Sequence, residues 1–208
     1  MVLAENVYHT FVQILKEELV PAFGCTEPIA IAYCAAKARE VLGAVPERVE
    51  IQASGNIIKN VKSVIVPNTD GLKGIPAAAV AGIVGGCAEK KLEVISAVTD
   101  EQKHRMREYL EKTPFDVKPL ADGDKLDILI TVYAGEHQAK VRISRTHCNI
   151  AMISKDGEII YREEAAACQE EMPKADRSLL SVKNIIQFAQ EVNLEDVREV
   201  LDRQISYN

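Results

Sequence analysis

No run of about 18 apolar residues, the length a membrane-spanning helix needs, occurs in the 208-residue chain, and no secretory signal pattern opens it. Those absences predict a cytoplasmic protein in a reducing setting. There is no basic block either: 31 acidic and 25 basic residues are mixed along the chain, giving a formal charge of −6, which argues against nucleic acid as the main partner. The phosphate cradles GxGxxG and GxxxxGK[ST] are missing. Five cysteines, Cys25, Cys34, Cys87, Cys148 and Cys168, are odd in number and show no CxxC spacing, so neither a disulfide framework nor a local zinc site is encoded. No internal repeat is found. What remains is a chain of 47% apolar residues, enough to bury a sizeable core.

The stretch Pro21-Ala22-Phe23-Gly24-Cys25-Thr26-Glu27-Pro28 organises the rest. It joins two helices through a tight turn. Gly24 permits backbone angles other residues avoid, Thr26 is suited to capping, and Pro28 is preset near helical φ. Cys25 then faces a helix N-terminus, where unpaired N–H groups favour a thiolate able to act as base or nucleophile. The alternative is a small buried residue in a turn. Glu27 reads as a complement to the helix dipole ahead of the alternative, general acid work.

Before this turn, Val7, Phe11, Ile14, Leu15 and Leu19 share one face of a helix over 3–19; after it, an alanine-rich helix runs over 27–42 and closes at Gly43. Alternation over 47–53 predicts a half-buried strand, Ile57 to Asn60 a turn of helix, and the β-branched run Val61–Val66 a second, buried strand. Pro67-Asn68-Thr69-Asp70-Gly71 is turn chemistry, followed by a smooth apolar helix over 75–86. Residues 90–98 fit helix or strand equally. Thr99-Asp100-Glu101-Gln102 starts a helix that Pro114 ends. Strands follow over 115–120, 126–133, 138–144, 149–154 and 158–162, with Asp156-Gly157 as a hairpin turn. A polar connector over 163–177 leads to two short helices, 182–190 and 194–201, the second capped by Asn193. The fold class is α+β: amino-terminal helices packed with a mixed, largely antiparallel sheet, ending in two short helices. Residues 1–175 form the domain carrying the Cys25 turn, and 176–208 a helical connector.

Three other places gather polar groups at element ends. Ser54, Asn56, Lys59 and Asn60 can orient a small zwitterion or carboxylate, or serve only a local turn. Asn68, Thr69, Gly71 and Lys73 form an anion nest or a plain turn. Thr146-His147-Cys148-Asn149 interrupts apolar strands, with His147 as proton shuttle or as a hydrogen-bonded structural histidine. His9, His104 and His137 read as surface residues, and the other four cysteines as packing residues.

In Gly24-Cys25-Thr26-Glu27-Pro28, Ser54-Gly55-Asn56-Ile57-Ile58-Lys59-Asn60, Val66-Pro67-Asn68-Thr69, Gly71-Leu72-Lys73-Gly74 and Thr146-His147-Cys148-Asn149-Ile150, the chain resembles the amino-terminal half of the L-cysteine desulfidase family, related to iron–sulfur L-serine dehydratases. The resemblance implies β-elimination of L-cysteine to sulfide, pyruvate and ammonia, with Cys25 as proton acceptor. It implies a [4Fe–4S] cluster whose cysteine ligands lie in a second, carboxy-terminal half, as a following domain or a separate subunit, and assigns none of the five cysteines here to that cluster. This chain alone is then expected to be nearly inert. Asn56, Lys59, Asn60, His147 and Asn149 are the expected substrate contacts, by motif position. Two alternatives stand beside this reading: an L-serine dehydratase-like lyase, and a non-catalytic amino-acid-binding or regulatory module. A monomer and a homo-oligomer are both open.

Overall fold

The computed structural model describes residues 3–19, 22, 24–121, 123–163 and 175–207. The connector over 163–177 and Cys168 lie largely or wholly outside them. Two units emerge, one spanning 22–163 and one joining the amino-terminal segment to residues from 164 onward.

In the larger unit, alternation sets the sheet. Strands β1 (Arg48–Ala53), β2 (Phe115–Pro119), β3 (Asp127–Ala134), β4 (His137–Ser144), β5 (Ile150–Lys155) and β6 (Glu158–Arg162) lie in the order β2-β1-β3-β4-β5-β6. Only the β1–β2 pair is parallel. Register brings Val49 opposite Val132, Ile51 opposite Ile130, and Ile130 opposite Val141, all fully buried, so one face is continuous hydrocarbon. Asp156 and Gly157 both take positive φ, 50° and 89°, as the β5–β6 hairpin requires.

Helix α2 (Thr26–Leu42) packs on β3 and β4, and helix α4 (Gly74–Gly85) packs on α2. Small residues make that second contact possible. A β-carbon on Gly82 would stand 2.0 Å from the Ala32 carbonyl oxygen, and one on Gly86 would stand 2.9 Å from the Ala36 β-carbon. Helix α5 (Asp100–Lys112) packs on α4, and it begins with the predicted capping box of Thr99 and Gln102.

The expected strand over Val61–Val66 does not form. Val61 is instead the buried last residue of a short helix, α3 (Gly55–Val61), and Ile65 makes only an isolated bridge with Lys73. The turn at 67–71 folds the chain straight back, through Val66 N to Leu72 O at 2.9 Å and Gly74 N to Val64 O at 3.1 Å, leaving no length for a strand. The ambiguous stretch near residue 90 holds a 3₁₀ segment, Ala88–Glu93.

In the smaller unit, α1 (Glu5–Glu18), α6 (Val182–Glu191) and α7 (Leu194–Tyr207) surround Phe11, Val12, Phe188, Val197 and Val200. The first helix is therefore grouped with the last two, whereas the sequence reading placed it within residues 1–175. Helix α7 also extends beyond the expected end at 201, and Asn193 Oδ1 accepts from Glu195 N at 3.2 Å as its predicted cap. No helix among the described residues is long and apolar enough to cross a membrane.

Candidate functional site

The site grows from the start of α2. Gly24 takes φ +94°, and a β-carbon there would fall 2.6 Å from Cγ of Pro67, so the 24–28 motif lies directly against the 66–69 motif. Cys25, not Thr26, occupies the capping position ahead of α2, and its side chain makes no capping bond to the backbone. Its thiol donates instead to Glu27 Oε2 at 3.2 Å. The other carboxylate oxygen, Oε1, accepts from Asn60 Nδ2 at 3.3 Å, which ties in the 54–60 motif. His147, from the β4–β5 connection, stands within electrostatic reach of Glu27, each acting on the other's protonation. Three of the five motifs thus meet at one carboxylate, and a fourth packs against Gly24 beside it.

The electrostatics correct one expectation. The Cys25 thiol is pushed up from its ordinary range, first by partial burial of its surroundings and then by the hydrogen bond to the Glu27 carboxylate; the Glu27 backbone N–H at the helix start opposes this and is outweighed. The helix start acts on the sulfur as anticipated, but burial and, after it, the adjacent carboxylate outweigh it. The resting group is a thiol. Burial pushes the Glu27 carboxyl up, but hydrogen bonds from Cys25, its own backbone N–H and Asn60, with the charge of His147, hold it below the usual carboxylate range. Burial lowers His147, against the pull of Glu27. The cluster therefore combines an accessible thiol, an ionised acceptor and a neutral imidazole at neutral pH.

Asn56, Lys59 and Asn60 are exposed on α3, Asn56 standing three residues before Lys59 and four before Asn60, so one side of that short helix presents two amides and an ammonium. Asn149 stands apart from this group: its Nδ2 donates to Ser144 O at 3.1 Å and Glu163 Oε2 at 3.0 Å, closing the β4–β5 connection. Ser54 is likewise structural, donating to Lys125 O at 2.8 Å through its hydroxyl and to Asp127 O at 2.9 Å through its backbone N–H. At the second turn, Asn68 Nδ2 donates to Ile95 O at 3.0 Å and buried Thr69 donates to Val66 O at 2.7 Å, which is turn use rather than an open nest. Cys34 is fully buried and donates to Val141 O, as expected for a packing residue. Sequence reasoning assigned Glu27 to the helix dipole and missed it as the hub; its position two residues after Cys25 was the available signal.

Among the described residues, no three His, Cys, Asp or Glu side chains come together so as to hold a metal ion. The resemblance places the ligands of its cluster in a second, carboxy-terminal half and assigns none of them to these residues.

The chain is similar to a UPF0597 protein of Desulfitobacterium hafniense, 54% identical over 206 residues that make up 98% of this chain and 47% of the relative. UPF0597 proteins of Lachnoclostridium phytofermentans and Treponema denticola are 48% and 43% identical over 97% and 100% of this chain, each aligned region being 48% of the relative. The chain thus spans about half the length of the curated relatives it matches. No family model matches it, and no solved structure does.

Proposed function

We propose that the chain carries the proton-transfer part of a carbon–sulfur lyase that eliminates sulfide from L-cysteine, with Cys25 as the proton acceptor. One observation carries this reading: the exposed Cys25 thiol donates to an ionised carboxylate, Glu27, at the point where three motifs meet. A base for a Cα–H proton must be within hydrogen-bond reach of substrate and able to lose its own proton first. The thiol proton passes transiently to Glu27 Oε2, an uphill transfer on the resting order of the two groups, and the sulfur then takes the Cα proton. The released electron pair forms the Cα=Cβ bond, the Cβ–S bond breaks, and sulfide leaves with that bond's electrons. The 2-aminoacrylate left behind hydrolyses to pyruvate and ammonia. Lys59 supplies a cation for the substrate carboxylate, with Asn56 beside it; Asn60 positions Glu27, and His147 is a neutral donor or acceptor at the rim.

The relatives are about twice as long as this chain, which supports a further portion completing the enzyme. In this proposal that portion, a following domain or separate subunit, brings the [4Fe–4S] cluster, and the complete enzyme works in the reducing cytoplasm. The test uses the complete protein, reconstituted anaerobically, with sulfide release from L-cysteine as the readout. Cys25→Ser is expected to lower turnover by at least about 100-fold while cluster absorbance persists, in keeping with the contribution of a placed base. Unchanged turnover in Cys25→Ser rejects the assignment, and water release from L-serine outpacing sulfide release shifts the substrate to serine.

A further inference from the structure

A cavity lies away from Glu27, lined from the last turn of α2, the end of α4 and α5. It has a volume of about 260 Å³. Its apolar floor includes buried Ile83 and the ring of Tyr109, whose hydroxyl is anchored to Pro46 O at 2.6 Å. Around it stand Arg39, Arg105 and Lys112, against one acid, Glu108. Lys112 and Glu108 face each other at 3.6 Å, so their charges largely answer one another.

The two arginines are left over. Arg39 is held in place by one bond, Nη2 to Gly86 O at 2.9 Å, while its buried Nε–H has no partner among the described residues. The other amino group, Nη1, makes no hydrogen bond among the described residues and belongs to a side chain that lines the cavity. Arg105 has no ion-pair partner among the described residues. A guanidinium fixed in orientation, with free donors and a second guanidinium beside it, matches the planar, two-oxygen geometry of a carboxylate. The Ile83 and Tyr109 floor matches an apolar body of a few carbons or one ring.

We infer that this cavity is a binding site for a small organic carboxylate, its anionic end on Arg39 and Arg105 and its apolar part against Ile83 and Tyr109. The site is separate from the Cys25 cluster and does not depend on the reading of that cluster.

Benzoate is a suitable probe, titrated into the 208-residue chain and followed by calorimetry and by the methyl NMR signals of Ile83. Saturable binding is expected, with shifts at Ile83 and an affinity about tenfold weaker in Arg105→Gln and in Arg39→Lys, which keeps the charge but loses the fork. Arg105 is exposed, so its variant remains decisive should the Arg39 change disturb folding. Absence of saturation, or affinity unchanged in Arg105→Gln, overturns the inference. Equal binding of benzyl alcohol removes the carboxylate from it, and equal binding of inorganic phosphate removes the apolar floor; either result overturns it as stated.

Discussion

Cys25 and Glu27 are joined by a thiol-to-carboxylate hydrogen bond of 3.2 Å, and that bond, more than the helix start beneath it, sets the state of the sulfur. After burial, the Glu27 carboxylate is what raises the thiol, so neutralising it lowers the pKa and enlarges the thiolate fraction below it. In Glu27→Gln, alkylation of Cys25 by iodoacetamide near pH 8 is therefore expected to speed up several-fold, since rate follows thiolate fraction. Mass spectrometry of the Cys25 peptide separates this from reaction at exposed Cys87. A rate that stays the same or falls removes Glu27 as the controlling group.

His147 gives the cluster a pH signature. Burial lowers its pKa, so on acidification the unfolded chain takes up a proton near pH 6.5 before the folded chain does. Stability from this source is present above the unfolded pKa and is lost as pH falls toward the folded one. His147→Gln is expected to flatten the stability difference between about pH 7.5 and pH 5, measured by urea midpoints. A slope as steep as that of the unaltered chain would show that other groups carry it.

Gly24 is constrained twice, by φ +94° and by Pro67 Cγ at 2.6 Å from where a β-carbon would be. Gly24→Ala is expected to cost about 1–3 kcal/mol, lowering Tm by roughly 2–4 °C per kcal/mol in a chain of this size. The steric part should be relieved by Pro67→Ala and the φ part should not. A double-mutant cycle with no coupling between the two positions would contradict the contact.

Much of this architecture could be read from local pattern. Period-two alternation with Val49, Ile51 and Ala53 inward found β1, the Asp156-Gly157 pair found a hairpin, and Thr99 with Gln102 found the start of α5. The failures share a cause. Val61–Val66 has β-branched residues but sits between a short helix and a turn that closes on itself, and strand preference yields to such context. Glu27 meeting Asn60, 33 residues away, and Arg39 meeting Gly86, 47 residues away, depend on how α2 crosses its neighbours, and no local period encodes that.

The crossing itself is tested at Gly82, whose absent side chain lets α4 reach the Ala32 carbonyl. Alanine there gains helix preference of about 1 kcal/mol, yet its β-carbon would be 2.0 Å from a backbone oxygen that no rotamer change can move. The steric term should win: a net loss of about 1–3 kcal/mol or more is expected for Gly82→Ala, read as a lower Tm. A stabilised variant would mean that the two helices do not approach this closely.

The corner that holds α3 beneath the site rests on Asp127. Its carboxylate is fully buried, receives Arg142 Nε at 2.9 Å and Nη2 at 2.6 Å, and its backbone oxygen holds Ser54, the residue just before α3. Removing one partner of a buried pair costs about 3–5 kcal/mol, and the partial exposure of Arg142 moves the expectation to the lower end. Arg142→Ala, which strands the fully buried Asp127 carboxylate, should therefore lower the urea midpoint far more than adding Asp127→Ala to it lowers it further, because the double change leaves no stranded charge. Additive losses would mean that the two groups act independently, and α3 would then need another explanation for where it begins.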